Sequence, residues 1–281
     1  MPTVAFVLNQ TLVRDQDRLI RQCTTAARDR GWEPVFLPTA RAAAAAGAGL
    51  VFAAGGDGTV RACAQALGGT GVPLAIIPLG TANLTARAMG VPHRVSHAVK
   101  TGFDGEDRRI DLARADESVF TAMAGIGLDA AVVGATRQPH KRRLGWIAYA
   151  ASGAARLSLP PVSFTIRMDD GEPLTRTARC VVVGNAGLLP GGFPLLPAAR
   201  VDDGLLDVGI LSPRGVLGWA LVAGQMLIRD RHERRHLERY QARRVEISSA
   251  TDLPREADGE LLAPGPALTV TVWPGALIVR C

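Results

Sequence analysis

The sequence has few cysteines, and their positions argue against the common metal and disulfide frameworks. The four lie far apart, at positions 23, 63, 180 and 281, with no Cys-x-x-Cys and no Cys/His spacing. A zinc site or a disulfide scaffold is therefore not expected, and a reducing, cytoplasmic compartment is the simpler prediction. The sequence also contains no internal repeat and no low-complexity linker.

Long apolar runs are lacking as well. The amino terminus has no basic segment and no long apolar core, so it does not look like a signal peptide. The most apolar long window, 215–228, has 14 residues and contains Gln225, whereas a membrane-spanning helix needs about 20. We therefore expect a protein that is soluble or that binds a membrane peripherally.

Positive charge is in moderate excess, with 32 Lys and Arg against 26 Asp and Glu and a net charge of +6. This balance favours anionic partners, but no nucleic-acid motif is present, so nucleic acid is not an expected partner. Of two basic clusters, 140–143 is followed by apolar and aromatic residues and is the better candidate for docking on an anionic membrane surface. The other, 229–236, also contains acids, which is typical of a solvated helix face. The prediction is a peripheral location at the inner membrane surface.

The first hundred residues alternate between strand-like and helical patterns. Predicted strands at 3–8, 34–37, 50–52 and 74–77 alternate with predicted helices at 12–30, 40–48, 59–67 and 82–89, the last capped by Thr81. Such alternation predicts an α/β domain with a parallel, doubly wound sheet. From about Phe103, strand-like runs and Gly/Pro turns dominate, with helical stretches at 142–157 and 216–228, which predicts a β-rich sandwich or barrel. We predict an α/β nucleotide-binding domain over 1–102 and a β-rich domain over 103–281.

A glycine-rich loop joins the third strand to the third helix. Gly55, Gly56 and Gly58 surround Asp57, and glycine lets a ligand approach the main chain closely. A helix N-terminus is a ready site for phosphate. A hairpin turn at Asp57-Gly58 is the alternative, but the residues that follow have a helical period rather than a strand period. A second loop, 78–83, also leaves the carboxyl end of a strand, so the two loops are predicted to line one crevice.

These loops carry a family resemblance. Gly-Gly-Asp-Gly-Thr followed by Pro-Leu-Gly-Thr-Ala-Asn resembles the diacylglycerol-kinase-type lipid kinases, a superfamily that includes sphingosine kinases and is more distantly similar to NAD kinases. Further matching segments, in family order, are 110–112, 124–130, 201–208, 258–260 and 273–277. The resemblance covers nearly the whole chain. It implies an NAD-kinase-like first domain, an active site in the interdomain cleft, ATP as co-substrate, Mg²⁺ as cofactor and a lipid as substrate.

Phosphoryl transfer assigns roles to the loop residues. The loop is not followed by the lysine of a Walker motif, so main-chain N–H groups from Gly56 to Val60 and the hydroxyls of Thr59 and Thr81 are expected to hold the phosphates. Asp57 is expected to bind Mg²⁺, directly or through water. The resemblance adds Thr39, which follows the second strand and matches a position that lines the nucleotide in the family. The predicted nucleotide-binding residues are Thr39, Gly55, Gly56, Asp57, Gly58, Thr59, Val60, Arg61 and Thr81.

The resemblance also assigns residues in the second domain. Glu260 is predicted to be the general base for the lipid hydroxyl, acting with Asp57 in catalysis, and Asp258 is the alternative base. Without the resemblance, Asp258-Gly259 would be a type I′ hairpin turn with Glu260 in solvent. A structural Mg²⁺ site is predicted at the carboxylate of Asp203 and the carbonyls of Arg200 and Leu205, where the alternative is an ordinary Asp-Gly turn.

Three positions depart from the family pattern. Arg61 stands where Asn is common, Leu84 stands where Asp or another polar residue is common, and the first strand ends without the usual Asn-Pro and following Gly. Two alternatives to an ATP-dependent kinase of diacylglycerol or a related lipid therefore stay open. One is an NAD-kinase-like enzyme acting on a soluble acceptor, and the other is a non-catalytic nucleotide or lipid sensor. The sequence also leaves open whether the protein is a homodimer.

Overall fold

A computed structural model describes residues 1–13, 15–127, 160–189, 192–213, 218, 221–222, 224 and 236–281. Packing divides the chain into two compact units. The first contains Met1–Leu112 and Pro274–Cys281, and the second contains Ala113–Trp273. The division at residues 102 and 103 stays a prediction. That prediction has one boundary along the chain, so it places Pro274–Cys281 in the second domain, whereas these residues pack with the first unit.

Regular elements make up most of the described chain. The helices are α1 (Gln16–Arg28), α2 (Ala40–Ala45), α3 (Asp57–Leu67), α4 (Leu84–Ala88) and α5 (Val95–Asp104). The strands are β1 (Thr3–Leu8), β2 (Glu33–Leu37), β3 (Leu50–Gly55), β4 (Leu74–Pro78), β5 (Asp107–Ala115), β6 (Ser118–Phe120), β7 (Met123–Gly127), β8 (Val162–Met168), β9 (Leu174–Ala178), β10 (Cys180–Gly184), β11 (Leu206–Leu211), β12 (Leu237–Ala242), β13 (Arg244–Ala257) and β14 (Glu260–Arg280).

The first unit is an α/β domain with a parallel sheet, as predicted. Its strand order is β2-β1-β3-β4, and every one of these pairs is parallel. The end of β14 continues the sheet beside β4, with Val279 opposite Leu74. Strand β3 is buried along its whole length, which explains why it consists of apolar and small residues without alternation.

One face of this sheet packs on α1 and α5 through an aromatic cluster. Phe6 stacks on Phe52 with ring centroids 4.8 Å apart, and Phe103 of α5 lies against both rings. Gly102 allows this approach, because a β-carbon there would overlap the Phe52 ring. Helix α5 was not predicted, because its valine, threonine and glycine residues have weak helix propensities, which packing overrides.

The second unit is an antiparallel β domain, in agreement with the predicted β-rich class. Its strands follow the order β12-β11-β10-β7-β13-β14, and β8 pairs with both β13 and β9. Strands β9 and β12 were not predicted. Pro274 and Gly275, which are typical turn residues, lie inside β14 in its first-unit part, where the Gly275 N–H donates to Asp111 Oδ1 at 2.7 Å. The predicted helix at 142–157 lies outside the described residues, as does most of the one at 216–228.

Candidate functional site

The two glycine-containing loops of the first unit meet at the carboxyl edge of the sheet. Gly55 ends β3 opposite Pro78 of β4, and the Leu79 N–H donates to the Gly55 carbonyl at 2.8 Å. A β-carbon at Gly80 would lie only 2.6 Å from the α-carbon of Gly56. The loops therefore pack main chain against main chain, and glycine is required at this contact. This confirms that they line one region of the surface.

Asp57 links the two loops through its side chain. Its Oδ1 accepts the main-chain N–H of Leu84 at 2.6 Å, so a residue in the first turn of α3 holds the first turn of α4. Asp57 is half-buried. Because the donor is a main-chain group, the leucine at position 84 keeps this bond although the family commonly has a polar side chain there.

The first turn of α3 uses some of the N–H groups that were expected to hold phosphate. Both the Thr59 and the Val60 N–H donate to the Gly56 carbonyl, at 3.0 and 3.1 Å. The Thr59 and Val60 N–H groups are therefore engaged within the first turn of the helix itself. Gly58 is exposed and Thr59 is half-buried.

Asn9 is a site residue that the sequence analysis did not single out. Its Nδ2 donates to Thr59 Oγ1 at 3.2 Å, and its Oδ1 accepts from both the N–H and the hydroxyl of Thr11. The turn after β1 is therefore tied to the glycine loop. An asparagine directly after a predicted strand was the available signal, and it was noted only as a departure from the family pattern.

Asn83, rather than Thr81, caps α4. Asn83 is buried, has a left-handed backbone with φ of 48°, and exchanges two hydrogen bonds with the main chain of Gly80, at 2.9 and 2.8 Å. The predicted cap at Thr81 was therefore wrong, because asparagine adopts the left-handed region far more readily than a β-branched residue. The Thr81 side chain is exposed beside this turn.

The remaining nucleotide candidates lie on neighbouring elements of the same unit. Thr39 follows β2 and caps α2, where its hydroxyl accepts the Ala42 N–H at 3.2 Å. It is exposed at the carboxyl end of its strand. Arg61 is half-buried on α3, one residue beyond the buried Val60. The nucleotide roles of these residues stay predictions.

In the second unit, Asp258 and Gly259 form the two-residue turn between β13 and β14. Both have positive φ, 48° and 77°, and Ala257 pairs with Glu260, which is the type I′ geometry expected of Asp-Gly. Asp258 Oδ2 accepts the N–H and hydroxyl of Thr121 at 2.7 and 2.8 Å. Its Oδ1 accepts the N–H groups of Ala122 and Met123 at 2.8 and 3.1 Å.

These bonds bear on the choice between Asp258 and Glu260 as base. Burial raises the pKa of the Asp258 carboxyl, and its four accepted hydrogen bonds act in the opposite direction. Both of its oxygens already hold donors, so the side chain fixes the turn. Glu256 supports the same turn, accepting the Gly259 N–H at 2.7 Å from a buried position. Glu260, half-buried at the start of β14, is the carboxylate that this turn orients.

The predicted Mg²⁺ turn lies on the surface of the second unit. Asp203 is exposed and its Oδ1 accepts the Leu205 N–H at 3.0 Å, while the Arg200 side chain is directed to Asp202 at 3.3 Å. Burial raises the pKa of the nearby Asp207 carboxyl to about 6, and the charge of Asp203 adds to the rise.

A hard cation bound at this turn would offset the repulsion between the two carboxylates. In the part of the chain that the structure describes, no group of three or more His, Cys, Asp or Glu side chains is arranged to hold a metal. A cation here would therefore depend on main-chain carbonyls. The Mg²⁺ assignment to Arg200, Asp203 and Leu205 stays a prediction.

Three segments singled out in the sequence fall partly or wholly outside the described residues. The basic cluster at 140–143 and its apolar neighbours lie there, as does 229–236 except for His236. Asp129, in the matched segment 124–130, is also outside. Within the described residues, no helix is both long enough and apolar enough to cross a membrane.

Family models match both parts of the chain. Residues 14–115 match the diacylglycerol kinase catalytic domain, and residues 122–281 match the YegS C-terminal NAD kinase beta sandwich-like domain. Together the two models cover most of the sequence. They describe the α/β and β-rich halves in the order in which the structure shows them.

Individual proteins and structures agree with these models. A protein of Pseudomonas fluorescens named "Probable lipid kinase YegS-like" is 34% identical over 93% of this chain and 90% of its own length. One of Pseudomonas aeruginosa with the same name is 38% identical over 85% and 78%.

Solved structures show the same fold. A diacylglycerol kinase of Bacillus anthracis superposes with a TM-score of 0.81 at 24% identity, over 99% of this chain and 96% of that one. An NAD kinase of Archaeoglobus fulgidus in complex with ATP superposes with a TM-score of 0.58 at 13% identity, over 100% and 94%.

Proposed function

This chain belongs to the diacylglycerol kinase catalytic-domain family, and we propose that it is an ATP- and Mg²⁺-dependent kinase of diacylglycerol or a related lipid. The observation that carries the proposal is the junction of the two glycine loops. Gly56 and Gly80 are in contact, and Asp57 bridges from α3 to the Leu84 N–H. Such a junction offers phosphate donors and a carboxylate from adjacent loops at the carboxyl edge of the sheet. Both kinds of group are needed to position a phosphoryl group for transfer.

The loops of the first unit bind the nucleotide in this proposal. Main-chain N–H groups at the start of α3 donate to phosphate oxygens, where the helix dipole favours negative charge. The hydroxyls of Thr59 and Thr81 add donors. Bound Mg²⁺ would neutralise charge that develops on the phosphates, with Asp57 as its protein ligand. Thr39 and Arg61 contribute to the nucleotide site.

Glu260 acts on the acceptor. As the lipid oxygen forms its bond to the γ-phosphorus, the bond from that phosphorus to the bridging oxygen breaks and ADP leaves. The hydroxyl proton passes to the Glu260 carboxylate during the transfer. Asp258 is a positioning residue, because its hydrogen bonds to residues 121–123 fix the turn that carries Glu260.

The lipid reaches the enzyme at a membrane surface in this proposal. The net charge of +6 favours an anionic leaflet. The protein would thus be cytoplasmic and bind peripherally at the inner membrane surface. The basic cluster at 140–143 remains the predicted docking segment.

A phosphotransfer assay tests the proposal. Purified protein is incubated with Mg²⁺ and γ-labelled ATP on dispersions of diacylglycerol, other hydroxyl lipids and, as the soluble acceptor, NAD⁺. We expect label in a lipid product, and we expect Asp57→Asn to abolish most of it while far-ultraviolet circular dichroism stays unchanged. Label in NAD⁺ alone would refute the lipid proposal, and nucleotide binding without transfer to any acceptor would identify a sensor.

A further inference from the structure

A cavity of about 600 Å³ lies in the second unit and includes none of the residues assigned above. It is found where β9, β11 and β12 begin or end. The polar side chains that line it are those of Arg176, Thr177, Arg179, Ser212, His236 and Glu238. The proposed function gives this cavity no role.

Main-chain bonds hold the rim of the cavity in place. The Arg179 N–H donates to the Leu211 carbonyl at 2.8 Å, and the Ser212 N–H donates to the His236 carbonyl at 3.0 Å. Arg179 Nε donates to the Pro213 carbonyl at 2.9 Å, which fixes the direction of the guanidinium group. The main chain at the rim and the guanidinium group of Arg179 are therefore held in place.

Two side-chain nitrogen atoms of residues that line this cavity are buried and have no hydrogen-bond partner in the described part of the chain. They are Arg179 Nη1 and His236 Nδ1. Buried polar atoms in folded proteins are nearly always paired, and an exception calls for a specific cause. A guanidinium nitrogen can only donate, and an imidazole Nδ1 donates when it carries its proton. Two such atoms in one cavity point to a ligand that supplies acceptor oxygens.

The charge around the cavity indicates the sign of that ligand. Arg176 Nε donates to both carboxylate oxygens of Glu238 at 3.0 Å, and the Tyr240 hydroxyl donates to the same carboxylate at 2.7 Å. The carboxylate that lines the cavity is thus already neutralised. Arg179 Nε donates to a neutral main-chain carbonyl, so this bond does not compensate the charge of the guanidinium group.

We propose that this cavity binds a phosphate group, with Arg179 Nη1 and His236 Nδ1 donating to two of its oxygens. Phosphate fits better than a carboxylate because the hydroxyls of Thr177 and Ser212 line the same cavity and can reach further oxygens. The group belongs either to a small soluble phosphate ester or to a lipid head group. The inference does not depend on kinase activity.

Equilibrium dialysis with radiolabelled inorganic phosphate tests the site on the full chain. No nucleotide is added, because ATP carries phosphate groups that would compete at the cavity, and any phosphate bound at the glycine loops is common to wild type and cavity variants. We expect Arg179→Gln and His236→Gln each to weaken binding by about 10- to 100-fold, since each removes a hydrogen bond to a charged group. Arg167→Gln is the matched control, because Arg167 is exposed on β8 and does not line the cavity.

A second readout covers the case in which Arg179→Gln fails to fold, because that residue also holds the Pro213 carbonyl. The protein has five histidines, so His236 can be assigned in a side-chain NMR spectrum from the signal that is lost in His236→Gln. Phosphate should shift this signal in the wild type and in Arg167→Gln. The proposal would be overturned if the His236 signal did not shift on addition of phosphate, or if wild type and His236→Gln bound phosphate with equal affinity.

The source of the phosphate group is resolved by two further probes. Glycerol 3-phosphate competes with labelled phosphate if the ligand is a soluble ester. Vesicles of phosphatidylcholine with phosphatidic acid compete, while pure phosphatidylcholine does not, if the ligand is a lipid head group. Absence of competition by both, together with unchanged binding in the cavity variants, would show a solvent-filled cavity only.

Discussion

The turn at Asp258 makes a prediction that separates positioning from proton transfer. Asp258→Asn keeps the size of the side chain, and asparagine tolerates the left-handed backbone, φ 48°, as well as aspartate does. The substitution therefore changes hydrogen bonding without adding backbone strain. The amide oxygen can replace only one of the two carboxylate oxygens, and its NH₂ group must face N–H donors that now have no acceptor.

The magnitude follows from the bonds that are lost. With the amide oxygen towards Ala122 and Met123, the N–H of Thr121 loses its acceptor and its hydroxyl must reorient. An unsatisfied buried donor costs about 1–3 kcal/mol, so we expect Asp258→Asn to lower the free energy of unfolding by about 2 kcal/mol. Glu260→Gln should lower it by less than Asp258→Asn does, because the four bonds that Asp258 accepts stay in place.

Urea unfolding and single-turnover kinetics measure the two effects. Glu260→Gln should lower the rate of the chemical step by about 10²- to 10⁴-fold with ATP affinity nearly unchanged. Asp170→Asn, an exposed turn residue, is the control for charge loss. Asp258→Asn with wild-type stability would refute the positioning role. Weaker ATP binding at a wild-type chemical rate in Glu260→Gln would refute the assignment as base.

Three further outcomes are expected. Gly80→Ala should destabilise the first unit by about 1–3 kcal/mol in urea unfolding and weaken nucleotide binding, because the β-carbon meets the Gly56 main chain; unchanged values would contradict the contact. The protein should pellet with anionic vesicles at low salt and be released as salt screens charges beyond ~8 Å, whereas binding independent of salt and lipid charge would exclude electrostatic docking. Ellman's reagent at pH 8 should modify only Cys281 in the folded protein, because Cys23, Cys63 and Cys180 are buried. Burial also raises the pKa of the Cys23 and Cys63 thiols to about 12. Fast reaction of a second thiol would contradict this prediction.

Local physics made the first unit predictable. The strand at Thr3–Leu8 was predicted with its exact bounds, and the buried β3 followed by glycines identified the loop at 55–59. Each feature depends on a few consecutive residues. Helix α5 was missed because its stability comes from Gly102 and Phe103 packing on the aromatic cluster, a contact that its own weak helix propensity does not reveal.

Two Asp-Gly turns of the second unit show where prediction from the sequence ends. Asp203-Gly204 and Asp258-Gly259 present the same dipeptide to a local rule, which reads both as solvated turns. Asp203 is indeed exposed and accepts a bond from a residue two positions away. Asp258 instead accepts the N–H and hydroxyl of Thr121, 137 residues earlier in the chain. The turn propensity of the dipeptide cannot distinguish the two turns, because their difference arises from the pairing of β13 with β7. The family resemblance singled out the turn at Asp258-Gly259, and the catalytic role beside it stays a prediction. The physical reason for the rigidity of this turn, and for Glu260 rather than Asp258 as the proposed base, comes from the fold.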